Sequence, residues 1–180
     1  MANNTAIEKT QSHFPLAGLA SDGWSTEDEA TATCFCGTVQ LSFPTSAPGL
    51  VESFVCNCAD CHKITASMFA SNFTVDNAYL KHLRGKERLS VFGQSKTVAR
   101  GHKMTNYFCP VCGTLMYRVG EGFPGQSFLR IGTVDDFALH ETKLRPRKEM
   151  SVKERFAWAT GVEGVEKFEG MNESASLVSR

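Results

Sequence analysis

Seven cysteines lie in three tight clusters, and these clusters constrain the fold more than any other feature of the sequence. They are Cys34 and Cys36, then Cys56, Cys58 and Cys61, and then Cys109 and Cys112. An odd number of cysteines does not suit a set of disulfides, and the polar start of the chain, MANNTAIEKT, lacks the apolar stretch of a signal peptide. We therefore expect a cytoplasmic protein, whose reducing surroundings keep the thiols available for metal ions.

The two outer pairs together predict one structural zinc site. Cys34 and Cys36 form a C-F-C-G turn, and Cys109 and Cys112 form a C-P-V-C-G turn. The glycine after each pair lets the backbone curl around the sulfurs. Four thiolates complete the tetrahedron that structural zinc requires, and this site would join the start of the fold to its middle. A packed or redox-active cysteine pair is the alternative for either turn.

The central cluster predicts a second zinc ion that is held by only three cysteines. Cys56, Cys58 and Cys61 lie within one C-N-C-A-D-C segment. Structural zinc almost always has four protein ligands, whereas catalytic zinc keeps one position for water or substrate. His62 could close the site, but a side chain directly after a ligand usually points away from the metal. We therefore expect an open or water-filled fourth position.

A zinc centre with three thiolates has a definite chemical preference. It carries about one negative charge, which makes it a weak Lewis acid for generating hydroxide. The centre is soft and suits a fourth sulfur, so an incoming thiol would bind as a thiolate with a lowered pKa. We therefore expect chemistry on a thiol or thioether rather than hydrolysis.

The remaining pattern predicts a mostly β fold with few short helices. Short segments rich in Val, Phe, Thr, Tyr and Ile recur about every ten residues between turn glycines, as antiparallel strands do. These segments are 38–43, 53–55, 68–75, 89–92, 106–108, 115–119 and 127–133. The clearest helical segment is 63–69. We expect an N-terminal extension over 1–30, one zinc-binding domain over 31–168 and a polar tail over 169–180.

The charge balance limits the classes of partner. Nineteen basic and nineteen acidic residues give a formal net charge of zero, so no overall field attracts nucleic acid or an anionic membrane. The sequence has no apolar run of about 18 residues, the length that a membrane span needs. We therefore expect a partner that is neither nucleic acid nor membrane, and these features leave the oligomeric state open.

Four segments together resemble the glutathione-dependent formaldehyde-activating enzyme family, which also includes centromere protein V. They are C-F-C-G-T-V (34–39), C-N-C-A-D-C-H-K-I-T-A-S-M-F-A-S-N-F (56–73), F-C-P-V-C-G-T-L-M-Y (108–117) and R-I-G-T-V-D-D (130–136). The stretch R-F-A-W-A-T-G-V, which contains Trp158, is similar to the family's C-terminal signature. The resemblance covers about residues 31–168 and places all seven cysteines on the family's zinc ligands.

The resemblance implies a β-tent-like fold, in which small antiparallel sheets are held together by zinc, and two zinc ions per chain. The first and last cysteine pairs would bind the structural ion. The central three cysteines would bind the second ion, to which glutathione or another thiol would come. The implied activity is that of a carbon–sulfur lyase or synthase, which forms or cleaves S-(hydroxymethyl)glutathione.

Three positions differ from the family's usual pattern. Asn57 stands where His is usual, His62 where Arg or Gln is usual, and Ala66 where Gly is usual. These differences leave the zinc ligands unchanged. They leave open which small electrophile, such as an aldehyde, reacts and which thiol is the physiological one.

Several polar residues are candidates for roles beside the second zinc. His62 and Lys63 could orient a substrate carboxylate or move a proton. It is equally consistent with the sequence that each is an exposed side chain or one that only supports a zinc ligand. Asn72 could line the pocket. Arg100 and Arg130 could bind the carboxylates of a thiol, but a surface or ion-pair arginine is the simpler interpretation.

A non-enzymatic zinc-binding module for a protein partner is the alternative function. Such a module would carry a basic or apolar recognition surface, and the neutral net charge favours the enzyme.

Overall fold

The computed structural model describes residues 11–170, and this part of the chain is mostly β, as the sequence predicts. Its strands are β1 (Glu29–Thr33), β2 (Gln40–Pro44), β3 (Leu50–Cys56), β4 (Ala70–Asp76), β5 (Lys81–Arg84), β6 (Ser90–Gln94), β7 (Met104–Phe108), β8 (Leu115–Gly120), β9 (Gln126–Arg130), β10 (Lys148–Met150) and β11 (Glu166–Lys167). The α-helices are α1 (Ala59–Thr65) and α2 (Ala138–Glu141), and short 3-10 turns cover Lys86–Arg88, Ala99–Gly101, Ile131–Thr133 and Val152–Glu154.

The strands form a small sheet and a large sheet. The small sheet has the order β1-β2-β5 and is antiparallel throughout. The large sheet has the order β11-β10-β3-β4-β9-β8-β7-β6. Its pairings are antiparallel from β3 to β6, whereas β10 runs parallel to both β3 and β11. The antiparallel prediction is therefore right for the body of the sheet and wrong at this edge, because β10 is reached by a long connection through α2.

The main hydrophobic core lies between the two sheets. Successive side chains of a strand point to opposite faces of its sheet, and directly paired residues share a face. Phe73 pairs with Leu129, which pairs with Tyr117, and all three are buried in the core. From the small sheet, Phe43 places its ring centroid 4.7 Å from that of Phe73. This contact joins the small sheet to one face of the large sheet.

Helix α1 begins before the predicted helix and ends earlier. The helix contains Cys61, and Ala66 ends it in the left-handed conformation with φ of 51°. The Ser67 backbone N–H then donates to the carbonyl of His62, which completes the turn. A helix over 63–69 is therefore wrong at both ends, because the cysteine segment itself forms the first turn.

Four strands were not predicted from the sequence, and there is a physical reason for this. Strand β1, with the sequence EATAT, lies partly in the predicted extension and has only small side chains on its buried face. Strands β5, β10 and β11 have only four, three and two residues and contain several charged side chains. Their pairing depends on partners elsewhere in the chain rather than on a local apolar alternation.

The chain before β1 lies against the domain from residue 11 onward. The His13 backbone N–H donates to the Asp136 carboxylate at 2.8 Å, and the Leu19 N–H donates to the Phe35 carbonyl at 2.7 Å. The first ten residues of the predicted extension, and the predicted tail from residue 171, lie outside the described residues. Within the described part of the chain, neither helix has the length or apolar character needed to cross a bilayer.

Candidate metal centres

The two outer cysteine pairs meet in space. The sulfurs of Cys34, Cys36, Cys109 and Cys112 all lie within 4.8 Å of one another. The Cys36 Sγ is 3.7 Å from the Cys34 Sγ and 3.6 Å from the Cys109 Sγ. A tetrahedron with Zn–S bonds of about 2.3 Å has edges of about 3.8 Å, so these sulfurs could hold a metal ion of that size.

Two similar turns bring these sulfurs together. Gly37 has φ of 78° and donates its N–H to the Cys34 carbonyl at 2.9 Å. Gly113 has φ of 74° and donates in the same way to the Cys109 carbonyl at 2.9 Å. Only glycine adopts this conformation without steric cost, which explains the C-G ending of both motifs. The Val39 N–H points at the Cys34 sulfur, 3.2 Å away, and supports a negative charge there.

The thiols of this four-cysteine cluster differ in acidity. The neighbouring Thr38 hydroxyl lowers the pKa of Cys36. Partial burial acts to raise the pKa of Cys112, but the hydroxyl and backbone of Thr114 outweigh it and hold the pKa at about 6. Burial raises the pKa of Cys34 to about 12. A metal ion must therefore displace a proton from at least the buried thiol, which makes its binding pH-dependent.

The central cysteines form a separate three-cysteine cluster. Cys56 ends β3, Cys58 is the N-cap of α1, and Cys61 lies inside that helix. Their sulfurs lie within 4.8 Å of one another and could hold a metal ion, and no fourth histidine, cysteine or carboxylate from residues 11–170 joins the group. The neighbouring His62 is partly buried, and Lys63 is exposed.

One thiol of this cluster is much more acidic than a free cysteine. The pKa of Cys58 is lowered, first by the Cys56 thiol and then by the Cys61 thiol, because both stabilise a thiolate between them. The positive charge of Arg118 acts in the same direction. Cys58 therefore already favours the thiolate form that binds a metal, whereas the neighbouring Cys58 and Cys61 thiols and burial raise the pKa of Cys56, so that a metal ion would have to displace its proton.

The segment after β10 covers α1. The Ala59 backbone N–H, in the first turn of the helix, donates to the Glu154 carboxylate at 2.8 Å. The His62 ring stacks on Phe156 with a centroid distance of 5.4 Å, and Phe156 stacks on Trp158 at 6.1 Å. The His62 Nε2 is buried and has no hydrogen-bond partner among the described residues. His62 therefore lies in an aromatic row beside the three-cysteine cluster.

A buried carboxylate joins the same segment to the cysteine loop. Glu149 is fully buried and receives hydrogen bonds from Arg155 Nη1 at 3.0 and 3.1 Å. Asn57, between the first two cysteines of the cluster, donates its amide to Glu149 at 3.1 Å and to the Met150 carbonyl at 3.1 Å. The sequence analysis considered Asn57 only as a departure from a pattern and did not foresee this bond.

Two buried arginines stand behind the three-cysteine cluster. Arg130, expected to be a surface or ion-pair residue, is only 6% exposed, and Arg118, which the sequence did not single out, is 8% exposed. Arg118 Nη1 lies 3.8 Å from the Cys61 sulfur, and Arg130 donates to the amide oxygen of Asn72. The surface interpretation of Arg130 is therefore wrong, because the side chain turns inward from the end of β9.

Comparison with protein-family models gives a match over residues 29–154 to the model described as glutathione-dependent formaldehyde-activating enzyme. The match spans both cysteine clusters and most of the two sheets. The chain belongs to this family. The family assignment accounts for the order of the cysteine motifs along the chain.

Two further comparisons accompany this assignment. A search of curated proteins finds no significant match to this glutathione-dependent formaldehyde-activating enzyme family member. Among solved structures, a crystal structure of a Rhodobacter sphaeroides protein is 22% identical, with 57% of this chain and 85% of that chain covered and a TM-score of 0.45.

A shallow groove in this family member lies beside the end of α1 and the turn that contains Cys112. The groove has a volume of about 420 Å³, and its lining includes Thr65, Ser71, Cys112, Arg130 and Thr133. The three central thiols act on the charge of Arg130, so this residue links the groove electrostatically to the three-cysteine cluster. A second hollow, of about 430 Å³, lies under residues 14–23, and none of the three central cysteines lines either the groove or this hollow.

Proposed function

We propose that the protein is a zinc-dependent carbon–sulfur lyase or synthase, acting on adducts of glutathione or another thiol with a small electrophile such as formaldehyde. The observation that carries this proposal is the difference between the two cysteine clusters. Four sulfurs suit a closed structural site, and three sulfurs suit a site that accepts a ligand. The proposal places the reaction at Cys56, Cys58 and Cys61.

Zinc, when bound by these three cysteines, would supply a soft cationic centre that favours a thiol in its thiolate form. The fit rests on the donor set, since three sulfurs within 4.8 Å match three corners of a tetrahedron. The structural zinc, at Cys34, Cys36, Cys109 and Cys112, would hold the β1–β2 region to the turn before β8.

The proposed reaction balances without any further reactant. In the synthetic direction the thiolate sulfur attacks the carbonyl carbon of the aldehyde, a carbon–sulfur bond forms, and the π electron pair moves to oxygen. The proton lost by the thiol ends on that oxygen. In the reverse direction the hydroxyl proton leaves, the carbon–sulfur bond breaks, and the thiolate and aldehyde separate. The protein needs to hold the thiolate, orient the aldehyde and return one proton.

His62 is our candidate for the proton transfer. His62 directly follows Cys61 in the sequence, and its buried Nε2 has no hydrogen-bond partner among the described residues. Lys63 is exposed at the same helix and would meet a substrate carboxylate at the rim of the site. Asn72 would act through Arg130, whose guanidinium it holds.

A non-enzymatic zinc-binding module for a protein partner remains the second candidate. The observation that favours it is the exposure of two apolar side chains at the tips of the four-cysteine turns. Phe35 and Val111 are each 60% exposed. A partner that binds there would use the four-cysteine cluster as a rigid support and would leave the three-cysteine cluster without a chemical role.

The test is the zinc content of the purified protein, measured by elemental analysis with and without millimolar glutathione. We expect two zinc ions per chain in the wild type, loss of one in Cys58→Ser, and better retention of that ion with glutathione. Cys112→Ser is the matched variant in the other cluster, and there glutathione should give no protection.

Activity is followed as the exchange of formaldehyde with glutathione above the uncatalysed rate. Cys58→Ser should abolish the excess rate while the fold persists. The enzyme hypothesis is contradicted if two zinc ions stay bound regardless of glutathione and of the Cys58 substitution and no excess rate is seen. That outcome would favour the binding module. We place the protein in the cytoplasm, since all seven cysteines are free thiols and suit a reducing compartment.

A further inference from the structure

The three-cysteine cluster and two buried arginines lie on the same face of the large sheet. Directly paired residues of neighbouring strands share a face, and so do residues two apart on one strand. Cys56 pairs with Ala70, and two residues on, Asn72 pairs with Arg130. Two residues before Arg130, Phe128 pairs with Arg118. Both arginines therefore lie on the cluster's face of the sheet, opposite the main core.

The guanidinium groups of these arginines have little of their hydrogen-bonding capacity satisfied by protein. Among the described residues, Arg118 Nε, Arg130 Nε and Arg130 Nη2 are buried without a partner. No carboxylate pairs with either side chain in the described ion pairs. Arg118 Nη1 lies 3.8 Å from the Cys61 sulfur, and Cys61, then Cys56 and Cys58, are the groups that favour the charge of Arg130. A buried cation is costly unless an anion accompanies it.

A count of charges shows what the cluster can accept. Three thiolates and one divalent metal ion sum to one negative charge, which would repel a further anion. The two guanidinium groups change the local sum to one positive charge. A fourth ligand that carries one negative charge then makes the whole assembly neutral, which is the favoured state in a buried, low-dielectric site.

We propose that Arg118 and Arg130 form an anion-receiving pair that makes the three-cysteine cluster accept a thiolate, rather than a neutral group, as its fourth ligand. This inference rests on the proposed function and adds the residues that select the charge of the ligand. The pair acts through space on the incoming sulfur, and Asn72 positions Arg130. Glutathione's carboxylates are not needed for the effect, so small thiols without carboxylates should benefit equally.

The experiment compares an anionic ligand with a neutral one in the cobalt-substituted protein. Binding of a thiolate or of imidazole as fourth ligand changes the visible ligand-field bands of the cobalt ion, so both affinities are read from spectra without any assay of activity. The ligands are 2-mercaptoethanol, glutathione and neutral imidazole, each titrated at one fixed, mildly alkaline pH. The variants are Arg118→Met and Arg130→Met, with Arg118→Lys and Arg130→Lys to restore the charge. Arg88→Met, on an exposed turn before β6, is the control for loss of one positive charge.

We expect each Met variant to weaken 2-mercaptoethanol binding by about tenfold or more, since one charge is lost within a few ångströms of the ligand. Imidazole affinity should change little, and the Lys variants should recover most of the thiolate affinity. An equal loss for thiolate and imidazole would mean a merely structural role and would overturn the proposal. A loss confined to glutathione would overturn it as well, because it would identify a carboxylate site.

The outcome separates this inference from the proposed function. If the wild type binds no thiol at all, the proposed function itself fails. If the wild type binds thiols and both Met variants bind them as tightly, only the arginine proposal fails. Should Arg130→Met not fold after losing its bond to Asn72, Arg118→Met carries the comparison, because the hydrogen bond described for Arg118 goes to the Cys61 sulfur and not to a neighbouring strand.

Discussion

The side-chain amide of Asn57 donates a 3.1 Å hydrogen bond to the buried carboxylate of Glu149. The residue between two cysteines of the three-cysteine cluster is thus bonded to strand β10, which comes from a distant part of the sequence. Arg155 neutralises the same carboxylate. The shape of the cysteine loop therefore depends on the chain that follows β10, and this dependence can be tested.

Replacing Asn57 with Asp should destabilise the protein strongly. The substitution keeps the size of the side chain but removes a donor and sets a second carboxylate against Glu149. We expect a loss of about 3–5 kcal/mol in the free energy of unfolding, against about 1–3 kcal/mol for Asn57→Ala. Urea denaturation of the zinc-loaded protein measures both. Asn77→Asp is the control, because exposed Asn77 only accepts a bond from Ser127. Equal losses at the two positions would refute this account.

Gly161 and Gly164 offer a matched pair for testing the ion pair of Glu149 and Arg155. Both glycines have positive φ, of 76° and 72°. A Cβ on Gly161 would lie 1.9 Å from Arg155 Nη1 and 2.6 Å from a Glu149 oxygen, whereas a Cβ on Gly164 meets nothing within 4 Å.

Alanine at either glycine should cost about 1–2 kcal/mol for the left-handed backbone. Gly161→Ala should cost about 2 kcal/mol more than Gly164→Ala, because it displaces a buried ion pair. Thermal and urea unfolding give the comparison. The ion-pair explanation fails if the two variants have the same stability.

Glycine at position 66 should stabilise the protein. Ala66 ends α1 with φ of 51°, a conformation that costs any residue with a Cβ. We expect Ala66→Gly to raise the free energy of unfolding by about 0.5–1 kcal/mol after the entropy of glycine is counted. Ala59→Gly makes the same change at an exposed helical residue and should have the opposite sign. A destabilised Ala66→Gly variant would contradict the reported helix end.

Acid should destabilise the protein through His140 before the carboxylates titrate. Burial lowers the pKa of His140 below the ordinary value of 6.5, and burial together with Lys86 does the same for His82. The unfolded state therefore binds protons more readily, and stability falls as the pH drops below about 6.5. His140→Gln should show a smaller loss between about pH 7.5 and about pH 5.5. Denaturation of both proteins at equal zinc saturation checks this, and an unchanged pH slope would exclude His140 as a source.

Much of the architecture was predictable because it follows from local patterns. The seven predicted β segments overlap strands, since alternating Val, Phe and Tyr side chains carry their own periodicity. The grouping of the cysteines was also predictable, because the C-x-C-G and C-x-x-C-G turns supply two sulfurs each. The sulfurs of Cys34, Cys36, Cys109 and Cys112 lie within 4.8 Å of one another, which agrees with that prediction.

The surroundings of the three-cysteine cluster were not predictable in the same way. Arg118 is a single arginine in a strand, and nothing in its neighbours distinguishes it from a surface residue. Only the register of β8 against β9 shows that it shares a face with Arg130. Likewise, the bond from Asn57 to Glu149 joins residues 92 positions apart and depends on the parallel pairing of β10 with β3.

Strands β4, β8 and β9 assign alternate positions to two separate tasks, except at Met116, an even-numbered residue of β8 that lies in the main core. Odd-numbered positions such as Phe73 and Leu129 fill the core, and even-numbered positions such as Asn72, Arg118 and Arg130 face the cysteine centre. Substitutions that change the reactivity of the cysteine centre can therefore fall at positions that do not contribute to the core. A mutant library restricted to positions 72, 118 and 130 would explore new ligand preferences while the residues of the main core stay unchanged.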